Sequence, residues 1–281
     1  MEQSASMKLE KSNTMALIVS VLFFAAYFPI FQMLFSVWSS SDEYSHAFFT
    51  IPIIFYMAWM KRKMFLAGPP RYSLIGLPMV ILSTILYLFA LQTGIFTFIA
   101  LSMVLTIVSI ILYLFGIKAV IVLFTPLLLL ILLIPAPVQL YAKITFPLQL
   151  KVSQASEWLI RHISIPLLRE GNILHLPEKS FEVVEACSGL RSMITLATLS
   201  IIMGYFLLNK NASKIILTGA SIPIAIFINI IRVTTMVLLY HFFNLNMTEG
   251  IWHTVLGVLI FILGLVLLFL VQRILESWET K

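Results

Sequence analysis

Cys187 is the only cysteine in the 281-residue chain, and it sits in Glu-Ala-Cys-Ser-Gly-Leu-Arg-Ser at 185–192. A lone thiol is commonly a small buried hydrophobe. Here two further groups follow: Arg232 inside a long apolar run, and His253, after Trp252, at the mouth of another. Thiol, guanidinium and imidazole together can perform acyl transfer. A thiolate attacks a carbonyl, a cation stabilises the oxyanion, and histidine moves the proton to the leaving amine. A free thiol has a pKa of about 8.5, lowered at helix N-termini and beside cations. Cys187 opens an apolar run, where helix N–H groups favour negative charge. Arg191, one turn further on, is a second candidate cation, and the residues alone leave that choice open. Asn229, Arg232 and Thr235 recur at i, i+3 and i+6, a polar stripe that otherwise reads as hydrogen-bonded helix–helix glue. Glu182 and Glu185 are candidates to orient His253 or read a basic substrate, against the plainer role of solvated loop acids. His253 itself, beside Trp252, would otherwise be an interfacial residue.

The elements that must position these groups are membrane helices. Sixty per cent of the residues are apolar, 11% are charged and the mean hydropathy is +1.04, a balance outside soluble globular proteins. Runs long enough to span fall at about 15–38, 44–60, 73–91, 95–115, 117–134, 187–208, 215–240 and 251–271. The expected fold is an all-α polytopic membrane protein of about eight transmembrane helices, one integral membrane domain over 1–281. With the N-terminus in the cytoplasm, eleven lysines and arginines fall inside: Lys8, Lys11, Lys61, Arg62, Lys63, Arg71, Lys118, Lys210, Lys214, Arg273 and Lys281. The five on the outer side all fall within one loop, 135–186. Short loops decide orientation, so both termini are expected in the cytoplasm and the net charge of +6 is a topology signal, not a sign of nucleic-acid binding.

The outer loop should open with an amphipathic helix, its apolar stripe formed by Tyr141, Ile144, Leu148, Val152, Ala155 and Leu159, with a kink at Pro147. Two β-prone runs, 171–176 and 181–186, flank a proline-led turn and predict a hairpin feeding into Cys187 before the sixth span. Counting helix rise at ~1.5 Å per residue from the inner-face cations puts Cys187 roughly 34 Å, Arg232 roughly 27 Å and His253 roughly 30 Å above them. The three share one layer at the outer edge of the hydrocarbon core. All five histidines also fall on the outer side, so the chemistry is expected to be extracytoplasmic. A single cysteine excludes an internal disulfide, a C-x-x-C redox pair and a cysteine-rich zinc site, and no metal or cofactor is expected.

Ala-Cys-Ser-Gly-Leu-Arg-Ser (186–192), Asn229 with Arg232-Val233, and Trp252-His253 together resemble the exosortase/archaeosortase family. Tyr-Ser-His (44–46) and Ile-Pro-Ala-Pro (134–137) resemble it too, so the likeness covers most of the chain beyond residue 40. The resemblance implies a membrane cysteine transpeptidase, sortase-like by convergence, with Cys187, Arg232 and His253 as catalytic residues. Ser188, Glu185, Arg191, Asn229 and His46 stand as supporting positions. It implies exported protein substrates whose C-terminal tail carries a signature motif, a hydrophobic helix and a basic cluster. The enzyme would hold the cleaved protein as a thioester and pass it to an acceptor amine or lipid. Ala47 stands where the family pattern has glycine, which weakens any role for His46, and the extra C-terminal domain of some bacterial members is not expected here. Competing readings are an intramembrane cysteine protease with water as acceptor, a transporter or lipid-handling protein lined by Arg232 and His253, and an export scaffold.

Overall fold

The structure is a computed structural model. It describes residues 2–41, 43–66, 73–183 and 190–279, without the side chains of 2–17, 19, 65 and 66. It divides into two compact units, 1–135 and 136–281. The chain is mostly helical, and among the described residues six helices are long and apolar enough to cross a membrane.

The first unit contains α1 (Glu2–Ser40), α2 (Ala47–Leu66), α3 (Gly76–Thr93), α4 (Phe96–Phe115), α5 (Ile117–Val122) and α6 (Phe124–Leu132). Of these, α1 over Ser20–Ser40, α3 and α4 meet the requirements of a span. Two of the eight expected spans do not. Every 18-residue stretch of α2 includes Lys61, Arg62 and Lys63. The 117–134 run is broken at Leu123, because Pro126 lacks the N–H for the Val122 carbonyl and its ring excludes that carbonyl from a continuous helix. Tyr27, Ile30 and Leu34 of α1 pack on Ala90, Ile99, Ala100 and Met103. Within this layer Tyr27 Oη lies 2.7 Å from Thr106 Oγ1, which donates to Ser83 Oγ at 3.0 Å. Buried hydroxyls that satisfy one another are the usual adhesive where lipid supplies no hydrophobic force between helices.

Gly76 marks the closest approach in this unit. A Cβ there would lie 2.5 Å from the backbone N and Cα of Tyr113 on α4. Gly76→Ala is therefore expected to push α3 off α4 and cost about 1–3 kcal/mol, the range of overpacking. Thermal unfolding of the detergent-purified protein checks this, with Gly219→Ala, whose Cβ meets nothing within 4 Å, expected to leave the midpoint unchanged or raised.

The second unit contains α7 (Val138–His162), a sheet of β1 (Leu168–Glu170), β2 (Ile173–His175) and β3 (Ser180–Glu182), then α8 (Leu190–Leu207), α9 (Asn211–Phe243) and α10 (Gly250–Glu279). The sheet is antiparallel in the order β1-β2-β3. The predicted hairpin is present as β2–β3 with an added strand, β1. Residues 184–186 of its second run lie outside the described residues. The long amphipathic helix α7 is present with Pro147 inside it. Of the expected apolar stripe, Val152 is buried, Tyr141, Leu148, Ala155 and Leu159 are half-buried, and Ile144 is exposed. Polar Thr145, Gln149, Ser153 and Ser156 are buried beside Val152 and Ile160, a burial the apolar spacing alone did not indicate.

Two apolar clusters organise the unit. One joins Val152 and Ile160 of α7 to Leu174, Phe181 and Val183 of the sheet, Val233, Met236 and Val237 of α9, and Met247 and Leu256. The other joins Leu196 of α8 to Leu217, Ala225 and Ile228 of α9 and to Leu268 and Leu275 of α10. The sheet is tied to α7 by polar bonds. Ser153 Oγ donates to Gly171 O at 3.0 Å, and Glu157 pairs with Arg169 at 2.7 Å and Arg161 at 3.0 Å. At the opposite end, Glu279 accepts the backbone N–H groups of Asn209 (2.7 Å) and Lys210 (2.8 Å). It thus caps the start of α9, where Lys210 supplies no side-chain cap.

Candidate active site

The site is assembled by two neighbouring helices. At about 1.5 Å per residue, the 33 residues of α9 extend about 50 Å, well beyond a hydrocarbon core of about 30 Å. The helix ends at Asn244, which takes the left-handed conformation (φ 54°). Its N–H returns to Tyr240 O and that of Leu245 to Leu239 O, a closure that asparagine tolerates. The chain then crosses 245–249 and re-enters helix at Gly250, whose φ of +70° suits glycine. His253 therefore lies in the first turn of α10, and Arg232 about three turns below the end of α9.

The two side chains meet. Arg232 Nη2 is 2.8 Å from His253 Nε2, and His253 Nδ1 is 3.0 Å from Met247 O. A guanidinium only donates and a carbonyl only accepts, so the pair of contacts assigns the tautomer. Nδ1–H donates to Met247, and the Nε2 lone pair accepts from Arg232. Gly257, one turn beyond His253, lies against the cation: a Cβ there would make ordinary van der Waals contact with Arg232 Nη2 at 3.5 Å and Cζ at 3.7 Å. Asn229, one turn before Arg232, is 2% exposed. The shared layer predicted by counting helix rise thus contains a directly bonded Arg232–His253 pair.

The remaining candidates are distributed as follows. Cys187, Ser188 and Glu185 lie outside the described residues, as does the 184–189 segment between β3 and α8. Arg191 is the second residue of α8, half-buried, with its carbonyl accepting from Thr195 Oγ1 at 3.0 Å. Glu182 is exposed in β3, consistent with a solvated acid. His46 belongs to the first unit, where its Nδ1 is 3.0 Å from Glu43 O just ahead of α2.

One contributor was not legible in the sequence. Met247 acts through a backbone carbonyl, which has no side-chain signature. Met247 is anchored by its own buried side chain in the cluster below the sheet. The loop around it is further pinned by Asn246 Oδ1, which accepts from Lys179 Nζ at 2.8 Å and Thr248 Oγ1 at 2.6 Å. The turn of the β2–β3 hairpin therefore holds the loop that orients His253. A cavity of about 20 Å³, lined by Phe181, Glu182, Val183, Val233, Met236 and Thr248, lies between hairpin and helix.

Six apolar helices of spanning length and a bonded arginine–histidine pair describe a multi-pass membrane protein with a polar site. No curated protein and no solved structure matches the chain. A family model described as transmembrane exosortase matches residues 38–270, a stretch that includes Cys187, Arg232 and His253. The chain belongs to the transmembrane exosortase family.

Proposed function

We propose that the protein is a membrane cysteine transpeptidase that cleaves the C-terminal sorting tail of exported proteins on the extracytoplasmic side, with both termini in the cytoplasm. The observation that carries this reading is the Arg232–His253 pair, with the imidazole tautomer held by Met247. Family membership supports an exported protein as substrate, and in this reading its tail carries a signature motif, a hydrophobic helix and a basic cluster.

In the resting site the Nε2 lone pair is occupied by an arginine N–H. When the substrate's scissile carbonyl arrives, its oxygen competes for that N–H and frees Nε2 to take the Cys187 thiol proton. Sulfur attacks the carbonyl carbon, and Arg232 stabilises the tetrahedral oxyanion. The C–N bond then breaks, His253 returns its proton to the leaving amine, and the exported protein remains as a thioester on Cys187. An acceptor amine or lipid nucleophile attacks that thioester, and the sulfur recovers its proton. Arg191, at the start of α8, and Asn229 assist by stabilising charge around the thiolate and the Arg232 side chain.

The test is capture of the intermediate. Incubation with hydroxylamine is expected to release the substrate as a hydroxamate at its new C-terminus, identified by mass spectrometry. A free carboxylate as the sole product, with or without acceptor, would replace this reading by hydrolysis, the intramembrane protease alternative.

A further inference from the structure

We infer that the free edge of β3 is the docking site for the exported substrate, which binds as an additional, extended strand leading its scissile bond to the 184–189 segment. The inference rests on the transpeptidase reading and adds the place of recognition.

The hydrogen-bond register determines which way each residue of β3 faces. Val183 N–H donates to Asn172 O and Leu176 N–H to Lys179 O, both at 2.9 Å. The register pairs Ile173 with Glu182, Leu174 with Phe181 and His175 with Ser180. In an antiparallel ladder, bonded and non-bonded pairs alternate. The bonded pairs are therefore 172 with 183, 174 with 181 and 176 with 179. The backbone N–H and C=O groups of Ser180 and Glu182 point the other way, along the outer edge. The strand order β1-β2-β3 leaves that edge terminal, and among the described residues no strand pairs with it. Ser180 and Glu182 are exposed, whereas Phe181 between them is 4% exposed and anchors the strand on α9. The result is a rigidly backed strand with its outward backbone groups unclaimed.

Continuity with the nucleophile names the occupant. Cys187 follows Glu182 by five positions, at most about 17 Å of extended chain. A peptide laid along β3 therefore places a bond within reach of the thiol. A peptide bond must be presented in extended backbone for a nucleophile to reach its carbonyl, and strand addition is how edges bind such segments. Main-chain pairing tolerates many side chains, as an enzyme serving several exported proteins requires. Edge strands are normally blunted by charge or proline. Glu182 is the only charged residue of β3, and β3 contains no proline.

The experiment uses the full-length protein in membranes and a reporter carrying a motif–hydrophobic helix–basic cluster tail from the same genome. Glu182→Pro removes one outward N–H and leaves every bond to β2 intact, the setting in which a strand accepts proline. Glu182→Ala removes the carboxylate and keeps the N–H. Glu182→Pro is expected to cleave at least about 10-fold less efficiently, chiefly through a higher KM, and several-fold less efficiently than Glu182→Ala, which keeps the N–H. Maleimide labelling of Cys187, the single thiol, should match wild type in both, showing that the fold survives. A tailed peptide N-methylated one residue at a time should lose cleavage with a period of two. Cleavage by Glu182→Pro at the wild-type rate with an N-methyl scan lacking that period would overturn the edge proposal alone. A reporter that neither wild type nor Cys187→Ala cleaves would overturn the transpeptidase reading itself.

Discussion

Cys187→Ala is expected to abolish processing of a tailed substrate, by about 10⁴-fold or more, while the protein still accumulates in the membrane. The size follows from the role. Removing a covalent nucleophile deletes the pathway, and what survives is the background from binding and charge stabilisation. Alanine is small and apolar, so the substitution should cost little stability. The chain contains one cysteine, so maleimide labelling gives a single-site readout: one label in the wild type and none in the variant. Immunoblotting of the reporter measures the fraction cleaved. Normal cleavage by this variant would leave the transporter or lipid-handling reading in possession of the site, since neither needs the thiol.

Arg232→Gln should lower kcat by about 10²–10³-fold, the loss seen when one oxyanion donor is removed. The guanidinium also occupies His253 Nε2 at 2.8 Å, so its removal disturbs the proton carrier and the oxyanion site together. Arg232→Lys should recover only part of the rate, because an ammonium lacks the planar fork that serves two acceptors at once. His253→Gln is expected to fall in the same range. The decisive measurement is the double variant. Residues acting as one unit are non-additive, so Arg232→Gln/His253→Gln should be about as slow as the more damaging single change. Losses that multiply would mean that the observed hydrogen bond has no part in the reaction.

The helical runs were readable because lipid imposes a strong and local condition: about 20 consecutive apolar residues, with every backbone group bonded within the segment. Six of the eight expected spans meet it. The two that do not depend on particular residues, the basic cluster in α2 and the helix break ahead of Pro126, whose effects a count of apolar residues does not register. The hairpin was readable from a proline-led turn between β-prone runs, whereas β1 was not. Leu168–Glu170 has no pattern of its own and becomes a strand because β2 pairs with it. The amphipathic character of α7 was readable from its apolar spacing, whereas the burial of Thr145, Gln149, Ser153 and Ser156 was not, because it depends on the segments that pack against them.

At the site, chain position alone placed Arg232 and His253 in one layer, because helix rise is fixed and depth can be counted from the inner-face cations. Layer membership does not determine azimuth. Whether two side chains at one depth touch depends on how α9 and α10 pack and where the loop between them turns, and only the tertiary structure supplied the 2.8 Å bond. It also supplied what no side-chain pattern encodes: the Met247 carbonyl that sets the imidazole tautomer and the direction of the outward backbone groups on β3. The amino-acid sequence by itself determined the membrane class, the candidate chemical groups and their depth, because hydrophobic length and helix rise are local quantities. The contact between arginine and histidine, the tautomer and the open strand edge were decided by packing between segments distant in the chain, where local rules have no reach.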